Sequence, residues 1–436
     1  MDAIRGREDP IGRHISAGRR HFALLSLTLL TVAVLAATPA SAPAASLHRS
    51  RQPAPTWTIA NTPNITGASN GGLIGVSCWV SRFCEAVGHY ENSFGVQVAL
   101  AEAWNGSSWR IQQTPNPTGS IDTQLGGVSC NSPVACTAVG YSENSAGQDA
   151  TLVETWNGAS WQIVDTPNPA SGTGPTGGSC TVGYACVAGG GAEVGLMGVT
   201  CRSVNSCLAV GYAESAASDD ETLVEAWNGV SWTIQNTPNP ANSTSNGFSG
   251  ISCPAANRCL AVGYTEDGPG TDQRLVELWN GSEWSIQHAP LPVGANTSTL
   301  FGIACRSTSA CTAVGYDNDL FLVNVPLVET WNGRSWSIRN TPDPYNSLES
   351  GLFAVSCPTS ASCTAAASSV NGSLDPQTLA ESSNGRSWAI SATPNPPSAP
   401  ATALFGVSCR TADSCAAVGS YEDSAGALVP FAEEER

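Results

Sequence analysis

Lysine is absent from all 436 residues, so each of the 18 basic side chains is an arginine. Against them stand 35 acids, for a formal net charge of −17. Without the five arginines and three acids of residues 1–45 the balance is 13 against 32, or −19. Such a surface disfavours nucleic acid and anionic membrane, both of which bind through basic patches. It suits solubility outside a cell. Histidine is scarce, with only His48, His89 and His288 beyond residue 45. The chain also lacks a G-x-S-x-G elbow, an HExxH pair and a sialidase-type S-x-D-x-G-x-T-W box, so no catalytic residue is assigned. After residue 45 there is no apolar run of about eighteen residues, which excludes a membrane-spanning helix from the mature chain.

Repetition is what the chain has in abundance. The pair C-x5-C recurs at Cys78/Cys84, Cys130/Cys136, Cys201/Cys207, Cys253/Cys259, Cys305/Cys311, Cys357/Cys363 and Cys409/Cys415, in steps of 52 residues with one of 71. Repeats of roughly this length build propeller blades, each a four-stranded antiparallel sheet. Four short strands are legible per repeat: Leu125 to Cys130, Cys136 to Tyr141, Thr151 to Trp156, and Ser160 to Ile163, followed by T-P-N-P. Asn-Gly steps at 105, 157, 228, 280, 332 and 384 predict hairpins whose type I′ turn places both central residues at positive φ.

Strand counting predicts an all-β, seven-bladed propeller. A third-strand glutamate occurs seven times, at Glu102, Glu154, Glu225, Glu277, Glu329, Glu381 and Glu433. The fourth-strand tryptophan follows only six of them, at Trp109, Trp161, Trp232, Trp284, Trp336 and Trp388. The missing copy is Trp57, 52 residues before Trp109, in fourth-strand text with no first three strands before it. The N-terminal strand is therefore expected to complete the last blade and close the ring. Small residues fill the first two strands and tryptophans the outer two, the taper a ring requires, and the Trp columns read as inter-blade filler.

The stretch C-T-A-V-G-Y-S-E-N-S-A-G-Q-D-A-T-L-V-E-T-W-N-G-A-S-W-Q-I-V-D-T-P-N-P, from Cys136 to Pro169, resembles a kelch-type repeat. The likeness extends over 52–436 and is to kelch-like propellers of secreted bacterial proteins. It departs from kelch in having Val-Gly for the paired glycines and an added cysteine pair. Kelch-like rings serve mostly as interaction platforms, so the resemblance implies fold more than function.

Residues 1–45 read as an export signal: Arg5, Arg7, Arg13, Arg19 and Arg20, then an apolar run from His21 to Ala37, then small-residue cleavage sites near Ala40 to Ala42. Arg19-Arg20 resembles a twin-arginine signal, but sixteen cysteines favour the general secretory route and an oxidising destination. Residues 46–55 are a linker and 56–436 one propeller. The seven pairs, and an eighth formed by Cys180 with Cys186, bracket hairpin loops and read as local disulfides, each stabilising by about 2 kcal/mol. Zinc is the competing reading, disfavoured by the x5 spacing and by pairs spread around a ring.

Acids gather in the loops between strands two and three: Asp219, Asp220, Glu221, Glu266, Asp267, Asp272, Asp317 and Asp319, with Asp375, Glu422 and Asp423. Variable loops on a rigid frame are where binding usually resides, so this end is the expected ligand face. Calcium is conceivable there, although no loop carries D-x-D-x-D-G, and no cofactor is assigned. The seven repeated glutamates read as structural, hydrogen-bonded to a turn or to the next blade. One feature breaks the symmetry: an insert at about 173–195, a Gly-rich segment around Cys180 and Cys186 near Met197, read as duplication debris or as a flap. The leading expectation is a secreted, monomeric binding or adhesion platform for protein or glycan. An extracellular glycoside hydrolase or lyase, and a structural cell-surface component, are the alternatives.

Overall fold

In the computed structural model, residues 56–436 are described apart from 64, 66, 81, 170–192, 216–218, 268–271, 293, 294, 296 and 319–322. Residues 1–55, read from the sequence as export signal and linker, lie outside the described residues, as do all but the last three residues of the 173–195 insert and Asp319. So do Cys180 and Cys186, and the eighth disulfide expected between Cys180 and Cys186 is therefore not among the bridges described below.

Among the described residues there are twenty-eight strands and no helix. β2 (Ser69–Val80), β3 (Phe83–Glu91), β4 (Gln97–Trp104) and β5 (Trp109–Gln112) form an antiparallel meander. The same order repeats from β6 (Ser120–Ser132) to β9 (Trp161–Val164), from β18 (Ser298–Ser307) to β21 (Trp336–Arg339), and from β22 (Glu349–Thr359) to β25 (Trp388–Ser391). Two more such units, β10 (Val194–Ser203) to β13 (Trp232–Gln235) and β14 (Ser245–Ala255) to β17 (Trp284–Ile286), are joined into a larger sheet by one parallel pair, Asp220↔Ser245. The last sheet takes β26 (Thr402–Thr411), β27 (Ser414–Glu422) and β28 (Leu428–Glu435), and its fourth strand is β1 (Trp57–Ala60), paired from Trp57↔Glu435 to Ala60↔Ala432. The architecture is all-β and propeller-like, built from repeated four-strand antiparallel sheets.

Each sheet has the same rows. Cys78, Cys84, Trp104 and Trp109 lie side by side across the first, and Val76, Ala86, Glu102 and Ile111 form another row. Disulfides join Cys78–Cys84, Cys130–Cys136, Cys201–Cys207, Cys253–Cys259, Cys305–Cys311, Cys357–Cys363 and Cys409–Cys415, with Cα atoms 3.9–4.1 Å apart. They staple the first hairpin of every sheet directly across the strands.

The Asn-Gly turns differ from the type I′ expectation. Only the glycine is left-handed, as in Gly106 at φ 96° and Gly158 at φ 91°. The loop has four residues, and the asparagine side chain closes it: Asn157 Oδ1 accepts from the amides of Ala159 (2.9 Å) and Ser160 (3.0 Å). Asparagine is there as an Asx cap and needs no positive φ.

T-P-N-P has a role beyond ending the sheet. Strand four stops after three or four residues and proline cannot donate to a ladder, so side chains take over the pairing. Thr166 Oγ1 donates to Thr151 O (3.2 Å) and Asn168 Oδ1 accepts from Thr151 N (2.8 Å). Thr237 and Asn239 clamp Thr222 in the same way, and Thr393 and Asn395 clamp Thr378.

Neighbouring sheets meet through their first strands, each bulged at one equivalent step, which is L-x-G in five of them, as between Leu125 and Gly127, and Phe248 to Gly250 or Leu352 to Ala354 in the other two. Glycine allows a backbone approach that no side chain would: a Cβ on Gly250 would stand 2.7 Å from Phe301 O, and one on Gly406 2.6 Å from Ile74 O. A serine then bonds the next sheet's cysteine amide: Ser77 with Cys130, Ser129 with Cys201, Ser252 with Cys305, Ser356 with Cys409, and Ser408 with Cys78, all at 2.9–3.0 Å. The core lies between sheets. Leu73, Trp104 and Trp109 of the first pack with Ala416, Val418 and Ala432 of the last.

Candidate functional site

The turns between strands two and three, and the links between sheets, lie at the end opposite the disulfide row. Their acids are held in several ways. Glu221 and Asp267 are exposed, Asp219, Glu266 and Asp272 half-buried, and Asp317 buried. Asp220, half-buried, accepts from Ser245 Oγ at 2.9 Å. Asp423 is a loop brace, its Oδ1 accepting from the amides of Ala425 (2.8 Å) and Ala427 (3.0 Å).

Three of these acids come together at one seam. β12 (Asp220–Trp227) meets β14 at Asp220↔Ser245; Ser245 pairs with Glu266 on β15 (Arg258–Glu266), and Glu266 with Asp272 on β16 (Asp272–Trp279). Asp220, Ser245, Glu266 and Asp272 therefore form one row across two sheets. Tyr264 sits beside them, its ring over Gly247, where a Cβ would meet the ring at 2.8 Å. Burial raises its phenol pKa, and the charges of Asp220, Asp272 and Glu266 raise it further. The pattern continues at the flanking seams: burial lifts Tyr212 well above the ordinary range, with Glu193, Asp149 and Asp220 adding to it. Tyr316 is pushed up to about 12 by burial and by Asp272 and Glu349. These phenols stay protonated near neutral pH at an acidic edge, with Ser245 beside Tyr264 and Thr299 beside Tyr316. The tyrosines escaped the sequence reading because V-G-Y looked like strand text. Their column, Tyr141, Tyr212, Tyr264 and Tyr316, is confined to four successive repeats and was the available signal.

The seven third-strand glutamates are interior, all at 0 % exposure. Each faces an alanine on strand two and an isoleucine on strand four, as Glu154 does between Ala138 and Ile163. The expected common hydrogen bond is missing. Side chains from the preceding repeat reach two: Arg274, whose Nε lies 2.6 Å from Glu329 Oε1, and Thr341, which donates to Glu381. Neither oxygen of Glu102, Glu154, Glu225, Glu277 or Glu433 has a hydrogen-bond partner among the described residues. Burial accordingly pushes Glu102, Glu225, Glu277 and Glu433 up to about 8, and Glu154 well above the usual carboxyl value. Glu329 and Glu381 reach about 7, burial being offset by Arg274 and Thr341 respectively.

Among the described residues, no group of three or more His, Cys, Asp or Glu side chains is placed to hold a metal ion, and no helix is long and apolar enough to cross a membrane. The insert's cysteines, Cys180 and Cys186, fall outside those residues.

No protein-family model matches the chain, and neither does any curated protein. Solved structures do resemble it. A crystal structure of a protein of unknown function from Dyadobacter fermentans aligns over 88 % of this chain and 98 % of its own, at 8 % identity and a TM-score of 0.50. The extracellular domain of a hybrid two-component system from B. thetaiotaomicron aligns over 88 % of this chain and 40 % of its own, at 9 % identity and a TM-score of 0.45. Trypanosoma rangeli sialidase, solved with the inhibitor DANA, aligns over 75 % and 56 %, at 11 % identity and 0.42. At these identities the likeness concerns the fold alone.

Proposed function

We propose that this protein is a secreted extracellular binding platform, a kelch-like seven-bladed ring that presents its variable-loop end to a protein or glycan. The ring is supported by β1 lying on β28 and by the Ser408–Cys78 bond between last and first sheets. Seven disulfides favour an oxidising, extracellular destination. The observation that carries binding is the row of Asp220, Glu266 and Asp272 beside Tyr264: carboxylate acceptors and a phenol donor on a rigid frame, suited to sugar hydroxyls or to a basic peptide segment. Binding is favoured over acid–base catalysis because the carboxyls lifted toward neutrality lie in the interior, out of reach of a substrate.

The test is a glycan array and a capture experiment against surface proteins of the producing cell, each with and without calcium. The triple variant Asp220→Asn, Glu266→Gln, Asp272→Asn preserves shape and removes charge. Specific binding lost in the variant supports the reading. Turnover of a captured glycan, or binding indifferent to the variant, sinks it.

A further inference from the structure

Eleven arginines fall among the described residues of this acidic chain, and three of them, Arg306, Arg339 and Arg386, line one cleft of about 670 Å³ with no acid in its wall. It lies at the disulfide end, away from the loop seam, between the sheets β18–β21 and β22–β25.

Three departures from the repeat open it. In five of the repeats the fourth-strand tryptophan pairs with a tryptophan on strand three, as Trp156 does with Trp161, ring centroids 5.9 Å apart. Opposite Trp388 stands Ser383, so an indole is missing from the row. Second, in two other repeats a glutamine accepts from the next sheet's indole: Gln112 from Trp161 Nε1 (2.6 Å) and Gln235 from Trp284 Nε1 (2.9 Å). The residue facing Trp388 from that position is Arg339, which has no acceptor and is held by Thr330 Oγ1 at 2.8 Å. Third, the turn carries Arg386, as the preceding repeat carries Arg334, where the others have Ser107, Ala159, Val230 and Ser282. Trp388 is consequently half-buried, whereas the other six of its column are 3–6 % exposed.

We propose that this cleft binds a carboxylated oligosaccharide. Exposed guanidinium groups match carboxylates in a two-pronged geometry, and the uncovered face of Trp388 offers an apolar platform for a sugar ring. Serine, threonine and asparagine side chains complete the wall and suit sugar hydroxyls. A uronate chain spaces one carboxylate per ring among hydroxyls, which fits three separated arginines. A phosphate polymer presents denser charge to a molecule of net charge −17 and is disfavoured.

Titration calorimetry of the oxidised protein with tetragalacturonate is the test, with cellotetraose as the neutral control, and polyphosphate and single-stranded DNA as the other polyanions. Saturable binding of tetragalacturonate alone is expected, weakening as salt rises. Arg339→Gln and Arg386→Ser restore residues that sibling repeats carry at these positions, so both fold, and each is expected to weaken binding tenfold or more. Ser383→Trp refills the cleft and is expected to abolish it without lowering Tm. The proposal is overturned if tetragalacturonate does not bind, if the three variants bind it unchanged, if cellotetraose binds equally, or if polyphosphate or DNA binds more tightly with the same arginine dependence. Because the loop-seam variant leaves this cleft intact, failure at one end is separable from failure at the other.

Discussion

The amide of Cys78 donates to Ser408 Oγ at 3.0 Å, across 330 residues of sequence. The same bond joins Ser129 to Cys201 between consecutive sheets. Around the Cys78 seam, Arg410 Nη1 lies 3.1 Å from Cys84 Sγ and the Arg436 guanidinium stands over Trp104, 5.6 Å from the ring centroid. If the ends of the chain close a ring, Ser408→Ala and Ser129→Ala are equivalent. Each strands one partly buried amide and should lower stability by about 1 kcal/mol in denaturant unfolding. A silent Ser408→Ala beside a destabilising Ser129→Ala would place an open seam at the ends.

Stability should rise as pH falls from 9 to 5. The buried glutamates have folded-state pKa values above their unfolded values, about 8 at Glu102, Glu225, Glu277 and Glu433. A group raised on folding binds its proton more tightly in the native state. Its contribution is therefore complete below the unfolded value near 4.5 and is lost as pH rises through about 8. Tm measured across this range should fall toward alkaline pH. Glu102→Gln, which cannot ionise, should raise Tm at pH 8.5 and leave it nearly unchanged at pH 5. A Tm that climbs with pH between 5 and 9 would contradict this account.

Each cross-strand disulfide closes a small loop, and Cys253→Ala with Cys259→Ala together should cost about 2 kcal/mol. Reducing agent should act on all seven described bridges and lower stability by several times as much. The check is urea unfolding of wild type and double variant, with and without reductant. Equal stability of the oxidised and reduced wild type would show that packing alone holds the hairpins.

The strands were legible because their signals are periodic: the cysteine pair, the third-strand glutamate and the Asn-Gly step recur at one spacing, so each repeat checks the others. The turn geometry was less legible. Asn157 and Gly158 suggest a two-residue turn by identity, whereas the cap depends on the amides of Ala159 and Ser160, which no composition rule weighs. The acidic seam was partly legible, since the loop acids stand out. That Asp220, Glu266 and Asp272 share a row depends on strand register across two sheets, and 52 residues separate Asp220 from Asp272. The arginine cleft left only faint traces, Ser383 for tryptophan and Arg339 for glutamine, because a missing ring gains meaning only when its neighbours are known.

Outer strands of neighbouring sheets are linked by Trp161 Nε1 donating to Gln112 Oε1 at 2.6 Å, with the indole 4 % exposed. Gln112→Leu keeps most of the bulk and removes the acceptor, leaving a buried N–H unpaired. The expected loss is about 1–3 kcal/mol, the cost of an unsatisfied buried donor. Gln112→Glu retains an oxygen at the same reach and should recover most of the stability, which separates loss of the bond from loss of volume. Denaturant unfolding followed by tryptophan fluorescence gives both values. If the leucine variant equals wild type, Trp161 is held by packing alone, and replacing glutamine by Arg339 is not what releases Trp388.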